Sequence, residues 1–388
     1  MPRRRRSSAL STINRLHHRD KRSGKTRSYE ITFIAGDGVG PEVSNAARWC
    51  VDAAAEKYGF EVSWDEQQAG EVALRRQGSV LPRRTIDSIA RNRVALKGPI
   101  TTPIGEGFRS VNVQMRKTLG LYANLRPARL FPGVKSRYSD VDLVVVRENT
   151  EDVYAGIEFD EGARATSQLI RLIASKSGER IAPDSAITIK PISISASRRI
   201  VEFAFRYAKD NRRKRVTAVH KANIMKSTDG LFLKVARQVA SRHRGVIFDD
   251  MIVDSMCMQL VLKPEMYDVL VCPNLYGDII SDLCSGLVGG LGLAPSANIG
   301  DSCAVFEPVH GSAPKHAGKN EVNPTASMLS AAMMLGHIGE ARAAKGLERS
   351  ILKVIREGRV LTYDLKPRNP STTTDMADAV IRKIRSGR

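Results

Sequence analysis

The stretch "ITFIAGDGVGPEV" (residues 31–43) decides the fold class, because a short apolar run enters a glycine-rich turn and leaves into an apparent helix. The glycines are Gly36, Gly38 and Gly40, and Pro41 suits the first turn of the following helix. A dinucleotide fingerprint requires Gly-x-Gly-x-x-Gly, so its third glycine is absent here. The stretch therefore fails the fingerprint and predicts only a strand-to-helix turn. Its backbone N–H groups can bind an anion, or the turn can be a plain tight connection.

Short β-branched runs alternate with longer amphipathic stretches after this turn. The strand candidates are "EITFIAG", "RVALKG", "DLVVVREN", "AITIKPI", "RVTAVHK", "GVIFDDMIV" and "YDVLVCPN", and the clearest helix candidates are "PEVSNAARWCVDAAAEKYG", "SASRRIVEFAFRYAKDN" and "STDGLFLKVARQVASRH". This pattern predicts an α/β protein with a largely parallel sheet. Residues 151–192 alternate less regularly and predict an arm or a hairpin, whereas the tail predicts two helices broken near Gly336–Gly346.

The composition is that of an ordinary globular protein. Hydrophobic residues make up 42% and charged residues 26% of 388 residues, and no apolar run reaches the roughly 20 residues that cross a bilayer. The five cysteines form no CxxC pair and have no histidine partners at zinc spacing. We therefore expect a reducing compartment and no membrane partner.

The net charge of +20 raises the question of nucleic-acid binding. The first 30 residues carry ten Lys and Arg against Asp20 and Glu30, so the rest of the chain keeps +12. We expect residues 1–29 to be a disordered basic leader, which could act as a mitochondrial transit peptide, as a polyanion-binding tail or as a plain extension. Basic residues are not interleaved with aromatics, so nucleic-acid binding is not expected. The remaining charge suits an enzyme with a multiply charged anionic substrate.

Two carboxylates in "NLYGDIISD" (274–282) have the spacing of a metal site. Asp278 and Asp282 lie on one face if the segment is helical, where they can bind a divalent cation or face solvent. Asp254 follows the run "GVIFDDMIV" and is either a third oxygen ligand or the N-cap of the next helix.

Anion ligands are concentrated between residues 98 and 156. The candidates are Ser110, Asn112, Arg116, Arg126 and Arg147, and Tyr154 follows the last arginine by seven positions. Guanidinium groups bind carboxylates bidentately, so three arginines near strand and loop ends suit a substrate with several carboxylates.

Two further segments contain candidate functional residues. "VTAVHKANIMKSTDG" ends a strand in Lys221, which can act in proton transfer or be an ordinary loop lysine, and Asn223 follows it. "FEPVHGSAPKHAGKNEVNP" (306–324) matches no standard nucleotide motif and predicts only a functional loop.

Four of these motifs together resemble the β-decarboxylating dehydrogenases, the isocitrate and 3-isopropylmalate dehydrogenase family. They are "GDGVGPE", "RENTEDVYAG", "NLYGDIISD" and "HGSAPKHAG", and the resemblance runs from about residue 30 to the C-terminus. It implies the family's non-Rossmann α/β fold, with a discontinuous large cofactor domain (30–128 and 285–388). It also implies a smaller domain (129–284), an arm near 151–192 and a homodimer whose active sites straddle both subunits.

Within the family, "GFRSVNVQMR" resembles the isocitrate type rather than the isopropylmalate or homoisocitrate types. The resemblance implies oxidative decarboxylation of isocitrate to 2-oxoglutarate and CO₂, with Lys221 and Tyr154 in proton transfer. It further implies Mg²⁺ or Mn²⁺ held by Asp278 and Asp282 of one subunit and Asp254 of the other. The implied substrate ligands are Thr102, Ser110, Asn112, Arg116, Arg126, Arg147 and Asn223. The implied cofactor ligands are Glu307, His310, Gly311, Ser312, Ala313, Lys315, His316 and Asn323.

Positions 315 and 316 bear on the choice of cofactor. NAD-type relatives often carry Asp-Ile there, whereas Lys315-His316 resembles the Lys-Tyr of NADP-type isocitrate enzymes. A cation at this point favours the 2′-phosphate, so we expect NADP, with NAD as the alternative. A non-catalytic regulatory subunit is a further alternative, but such subunits typically lose the proton-transfer or metal residues that are present here. We expect a cytoplasmic protein, or a mitochondrial matrix protein if the leader is a transit peptide.

Overall fold

The structure is a computed structural model that describes residues 26–102 and 110–387. Most of the expected basic leader (1–29) and part of the loop before Ser110 therefore lie outside the described residues. The first strand begins at Arg27, so the last three residues assigned to the leader are strand residues instead.

The described residues form twelve strands and twelve α-helices. The strands are β1 (Arg27–Ile34), β2 (Phe60–Gln67), β3 (Val94–Lys97), β4 (Ala123–Arg129), β5 (Asp142–Glu148), β6 (Glu158–Phe159), β7 (Ile187–Thr188), β8 (Arg215–His220), β9 (Ile247–Ile252), β10 (Val269–Cys272), β11 (Pro295–Ile299) and β12 (Ala304–Pro308). The helices are α1 (Gly40–Tyr58), α2 (Glu71–Gln77), α3 (Arg83–Asn92), α4 (Val111–Thr118), α5 (Arg164–Ser177), α6 (Ile194–Asp210), α7 (Thr228–Ala240), α8 (Val253–Leu262), α9 (Asn274–Leu287), α10 (Thr325–His337), α11 (Ala341–Glu357) and α12 (Thr373–Ser386). Every predicted strand and helix named above is present.

Ten strands form one mixed sheet in the order β2-β1-β3-β12-β11-β4-β5-β10-β8-β9. The pairs β12–β11, β11–β4 and β4–β5 are antiparallel and the other neighbours are parallel. Six of the nine neighbouring pairs are parallel, so the predicted largely parallel sheet is confirmed, and the three antiparallel pairs lie together in its middle. Because three successive pairs reverse direction, the carboxyl ends of the two parallel flanks lie at opposite edges of the sheet.

Burial on both faces explains why the sequence of β5 contains a continuous apolar run. In β5, Val144 and Val146 belong to the main core, and Leu143 and Val145 belong to a second core with residues of α8 and α9. Alternate residues of a strand point to opposite faces, so both faces of β5 are covered.

The segment 151–192 has a small sheet of its own, and we call this segment the arm. β6 and β7 form a separate two-stranded antiparallel sheet, and α5 between them buries only Thr166. The C-terminal helices α10 and α11 break at residues 338–340, inside the predicted interval. Within the described ranges, no helix is long and apolar enough to cross a membrane.

Candidate active site

One cavity of about 360 Å³ collects most of the predicted substrate residues. Its lining includes Thr102, Ser110, Asn112, Arg116, Arg126, Arg147, Tyr154, Asp278, Glu307, His310 and Gly311. These residues come from distant parts of the chain, and the central strands β4, β5 and β12 bring them together. A cavity of about 620 Å³ between α11 and α12 is larger but contains none of the predicted groups.

Arg147 is the most deeply buried arginine of the cavity. It is the last residue but one of β5 and is 1% exposed; it donates from Nε to Oδ1 of Asn274 at 2.9 Å and forms an ion pair with Asp278. Its Nη2 has no hydrogen-bond partner among the described residues. Burial, reinforced by Arg126, lowers the pKa of Arg147 to about 9, which still leaves it charged at neutral pH. The free N–H groups therefore suit an anionic ligand.

Arg126 and Arg116 add two more buried guanidinium groups. Arg126 donates to Asn124 at 2.6 Å and to Ser281 at 2.7 Å, and burial lowers its pKa. Arg116 lies 3.3 Å from Glu307, and its Nε has no partner within the described part of the chain. Three cations facing two carboxylates leave the cavity with a positive excess that a polycarboxylate would neutralise.

Ser110 and Asn112 stand at the start of α4. Ser110 is the N-cap, and its Oγ accepts from Val113 N at 3.5 Å and from the Thr102 hydroxyl at 3.3 Å. A serine that accepts twice keeps its own proton to donate to a ligand.

The two carboxylates of "NLYGDIISD" lie four residues apart on helix α9, as predicted. Burial raises the pKa of Asp278, but Arg147 and Arg126 outweigh it and hold that pKa below its ordinary value. Burial raises the pKa of Asp282, which Arg126 opposes from 3.5 Å. The Tyr154 hydroxyl donates to Asp278 Oδ2, and burial together with this bond raises the pKa of Tyr154.

Lys221 and Asp254 lie outside this cavity and pair with each other. The distance from Lys221 Nζ to Asp254 Oδ1 is 2.5 Å, and this hydrogen bond lowers the pKa of Asp254. Asp254 lies in the first turn of α8, but Ile252 is the N-cap, so the capping alternative is wrong. Asn223, two residues after Lys221, is exposed. Within one chain, the predicted residues therefore fall into two groups. One group lines the cavity near the end of β5, and the other, with Lys221 and Asp254, follows the ends of β8 and β9.

The carboxylates fit a metal site only in part. Among the described residues, no three His, Cys, Asp or Glu side chains are close enough to hold a metal ion together. Asp278 and Asp282 offer hard oxygen ligands from one helix face, which suits Mg²⁺ or Mn²⁺. Asp254 is 64% exposed. Within the described residues of one chain, Asp278 and Asp282 therefore have no third such ligand beside them.

The predicted cofactor loop begins at the cavity and runs outward. His310 and Gly311 line the cavity, and Ser312 Oγ lies 2.8 Å from Thr101 Oγ1. Burial lowers the pKa of His310, whose Nε2 has no partner among the described residues. Ala313 has φ +39°, so the loop turns sharply at a residue with a side chain.

The outer part of the loop is more exposed. Lys315 is exposed, and His316 stacks on Tyr363 with ring centroids 6.0 Å apart. His316 Nδ1 also lies 2.8 Å from Glu321. Asn323 is buried and donates to Asp364 at 2.8 Å, so one of its amide protons is engaged within the protein.

Sequence reasoning missed three buried polar residues behind the cavity, Lys97, Asn124 and Asn298, and gave their partner Glu307 only as an implied cofactor ligand. Lys97 is 1% exposed and lies 2.5 Å from Glu307. A chain of hydrogen bonds crosses the antiparallel strands from Arg126 through Asn124 and Asn298 to Glu307. Burial raises the pKa of Glu307, but Lys97 and Arg116 outweigh it and lower the pKa to about 2. A lysine inside the apolar strand "RVALKG" was the available signal, because buried lysines need a partner.

The fold and the cavity define an α/β protein with a cavity that is lined by buried arginines and has a positive excess of charge. The model of the isocitrate/isopropylmalate dehydrogenase family matches residues 30–380, and the chain belongs to this family. The predicted resemblance is therefore confirmed.

Individual relatives agree with this assignment. The chain is 46% identical to mitochondrial NAD-type isocitrate dehydrogenase catalytic subunit 5 of Arabidopsis thaliana, over 92% of this chain and 88% of the relative. It is 44% identical to the NADP-type isocitrate dehydrogenase of Archaeoglobus fulgidus, over 92% and 93% of the two chains. The crystal structure of isocitrate dehydrogenase from Methylococcus capsulatus is similar with a TM-score of 0.84 and 48% identity, over 92% of this chain and 99% of that one. The predicted non-Rossmann fold of the family is thereby confirmed.

Proposed function

We propose that this protein catalyses the oxidative decarboxylation of isocitrate to 2-oxoglutarate and CO₂, with hydride transfer to NADP. The observation that carries the proposal is the convergence of three buried guanidinium groups with Ser110 on the cavity that contains Tyr154. The family and its isocitrate dehydrogenase members support the reaction class.

The cavity residues bind and orient the tricarboxylate in this proposal. Arg116, Arg126 and Arg147 bind carboxylates, and their burial excludes water from these contacts. Ser110 and Asn112 donate to the carboxylate that distinguishes isocitrate from isopropylmalate. Thr102 holds Ser110 in place through the hydrogen bond between their hydroxyls.

Tyr154 and Lys221 move the protons. Because burial raises the pKa of Tyr154, its phenol is protonated at neutral pH and can deliver that proton to the enol carbon of the product. Lys221 takes part in removing the proton of the substrate hydroxyl. In the isolated chain Lys221 is paired with Asp254 outside the cavity, so we assign Lys221 to the active site of a second copy.

Asp278, Asp282 and the second copy's Asp254 would hold the divalent cation. When bound, Mg²⁺ or Mn²⁺ lowers the pKa of the substrate hydroxyl and polarises the adjacent carbonyl. Tyr154 donates to Asp278, so the proton donor and the expected metal ligands adjoin each other.

An apolar surface beside these carboxylates supports a homodimer. Met258, Val261 and Leu262 on α8, Met266 just beyond it and Ile279 on α9 are each at least half exposed. Exposed apolar patches of this kind mark protein interfaces. Pairing two chains through α8 and α9 would bring Asp254 and Lys221 of one chain towards Asp278 of the other. Because a catalytic-subunit relative is named among the similar proteins, a heteromer is the alternative.

We propose NADP as the cofactor because Lys315 is exposed on the outer loop and offers a cation to a 2′-phosphate. The stacked rings of His316 and Tyr363 stand beside it and offer a flat surface. NAD is the alternative, since relatives of both types are similar to this chain.

Initial rates with isocitrate, isopropylmalate and homoisocitrate test the proposal, each with NAD and NADP in the presence of Mn²⁺. We expect the highest kcat/KM for isocitrate with NADP. A preference for isopropylmalate or homoisocitrate would overturn the substrate assignment. Absence of turnover with all three substrates would favour the regulatory-subunit alternative.

A further inference from the structure

A buried group of three charges lies beside the cavity, between the arm and helix α9. Lys190 Nζ lies 3.3 Å from Asp152 Oδ1 and 3.3 Å from Asp229 Oδ1. Both carboxylates are fully buried, and the Lys190 side chain is 15% exposed. Lys190 Nζ also lies 4.6 Å from the ring centre of Tyr276. We call Asp152, Lys190 and Asp229 the charge triad.

One carboxylate of the charge triad holds the turn that carries Tyr154. Asp152 begins the 3-10 turn Asp152–Ala155. Its Oδ2 accepts from Leu275 N at 3.0 Å and its Oδ1 from Val153 N at 2.8 Å. Asp152 has φ +71°, a conformation that is costly for a residue with a side chain and that needs support from its surroundings.

The other carboxylate holds the loop that carries Lys221. Asp229 lies in the first turn of α7, and its Oδ2 accepts from the backbone N–H of Lys221 at 2.7 Å. The amide of Lys221 is therefore tied to the same charge triad as the turn of Tyr154, although the two residues are 67 positions apart in the sequence.

We propose that Lys190 is a positioning residue that couples the Tyr154 turn to the Lys221 loop. The inference rests on the proposed function, in which Tyr154 serves the active site of its own chain and Lys221 serves that of the second copy. A displacement at one active site would then reach the other active site of the dimer through the charge triad.

The physical reason is the balance of charge in a buried space. One ammonium group between two buried carboxylates is the counter-ion of both. Without it, the carboxylates repel each other and lose their shared counter-ion, so each is displaced together with the backbone amides that it holds. Because these include the amides of Val153 in the Tyr154 turn and of Lys221, the displacement reaches Tyr154 and Lys221 together.

The kinetic test compares Lys190→Met with Lys176→Met, a matched change at an exposed lysine of the same arm. We expect Lys190→Met to lower kcat for isocitrate about a hundredfold and to change KM less than about threefold, since both proton-transfer groups shift while the arginines stay. Lys176→Met should match the wild type. A rise in KM alone, or equal effects of the two variants, would overturn the proposal.

Amide hydrogen exchange tests the coupling without reference to activity. Asp229→Asn removes one charge while keeping the size of the side chain, and it changes only the Lys221 side of the triad directly. We expect about tenfold faster exchange in residues 152–156 as well as in residues 221–230. Faster exchange confined to 221–230 would contradict the coupling, even if Lys190→Met does not fold. If the wild type fails to oxidise isocitrate, the proposed function fails, and the exchange result still decides whether the two segments are coupled.

Discussion

The backbone N–H of Val39 donates a 2.9 Å hydrogen bond to the carbonyl oxygen of Ser312. This bond joins the glycine turn near the start of the chain to the predicted cofactor loop. A Cβ added to Gly38 would lie 2.1 Å from the same carbonyl oxygen, and Gly38 has φ +59°. Glycine is therefore needed here both for its backbone conformation and for the close approach of the two segments.

Gly38→Ala should weaken cofactor binding by displacing Ser312. We expect the KM for NADP to rise about tenfold or more, with a smaller change in the KM for isocitrate. Gly78→Ala is the matched control, because Gly78 has φ +69° and a Cβ there meets no atom within 4 Å. If both variants raise the KM for NADP equally, the contact with Ser312 is not the reason for the glycine.

Glu307→Gln should destabilise the protein through Lys97. Removing the carboxylate charge leaves Lys97 buried without its counter-ion, at a cost of about 3–5 kcal/mol in the free energy of unfolding. Urea unfolding at neutral pH measures this cost. A variant as stable as the wild type would show that the pair contributes little.

The same substitution should change the response to acid. The pKa of Glu307 is lowered to about 2 from an ordinary value of 4.5. Its contribution to stability is thus full above about pH 4.5 and is lost as the pH falls towards 2. Glu307→Gln should flatten this part of the stability curve. Glu348→Gln is the control, because burial raises the pKa of Glu348 and its titration has the opposite sign. If the stability of Glu307→Gln falls between pH 4.5 and 2 as steeply as that of the wild type, the lowered pKa does not belong to Glu307.

Lys315→Asp should shift the cofactor preference towards NAD. An anion at this exposed position would repel a 2′-phosphate and accept hydrogen bonds from ribose hydroxyls. We expect the ratio of kcat/KM for NADP to that for NAD to fall about tenfold or more. Lys345→Asp on α11 makes the same change of charge and should leave the ratio unchanged. If Lys315→Asp does not move the ratio, Lys315 does not select the cofactor.

The sequence predicted the elements whose patterns are strong. The runs that became β5 and β10 are continuous and apolar, because these strands are buried on both faces. The shared face of Asp278 and Asp282 was predicted only on the condition that their segment is helical, and helix α9 meets that condition.

The antiparallel centre of the sheet was not predictable in the same way. Strand β4 contains Arg126 and a proline, and β11 and β12 contain prolines beside polar residues. These strands have polar site residues at buried positions. They therefore lack the alternation of apolar and polar residues that indicates an ordinary strand. The hydrogen bonds through Asn124 and Asn298 could not be predicted from the sequence either, because they depend on pairing between distant segments.

The position of Lys221 relative to Tyr154 could not be predicted from sequence patterns either. Motif resemblance implied that both serve one reaction, whereas the isolated chain keeps Lys221 with Asp254 and Tyr154 with Asp278. A site assembled from two chains accounts for both facts.

Hybrid dimers of Tyr154→Phe and Lys221→Met measure this central claim most directly. Each variant alone should lower kcat for isocitrate by about 10²- to 10⁴-fold, the usual contribution of a proton-transfer group. The two chains carry different affinity tags, are co-expressed, and are purified through both tags so that only hybrids remain. If each active site takes Tyr154 from one chain and Lys221 from the other, every hybrid has one intact site. The account predicts about half the wild-type rate of isocitrate oxidation per dimer. Hybrids as inactive as their parents would contradict it.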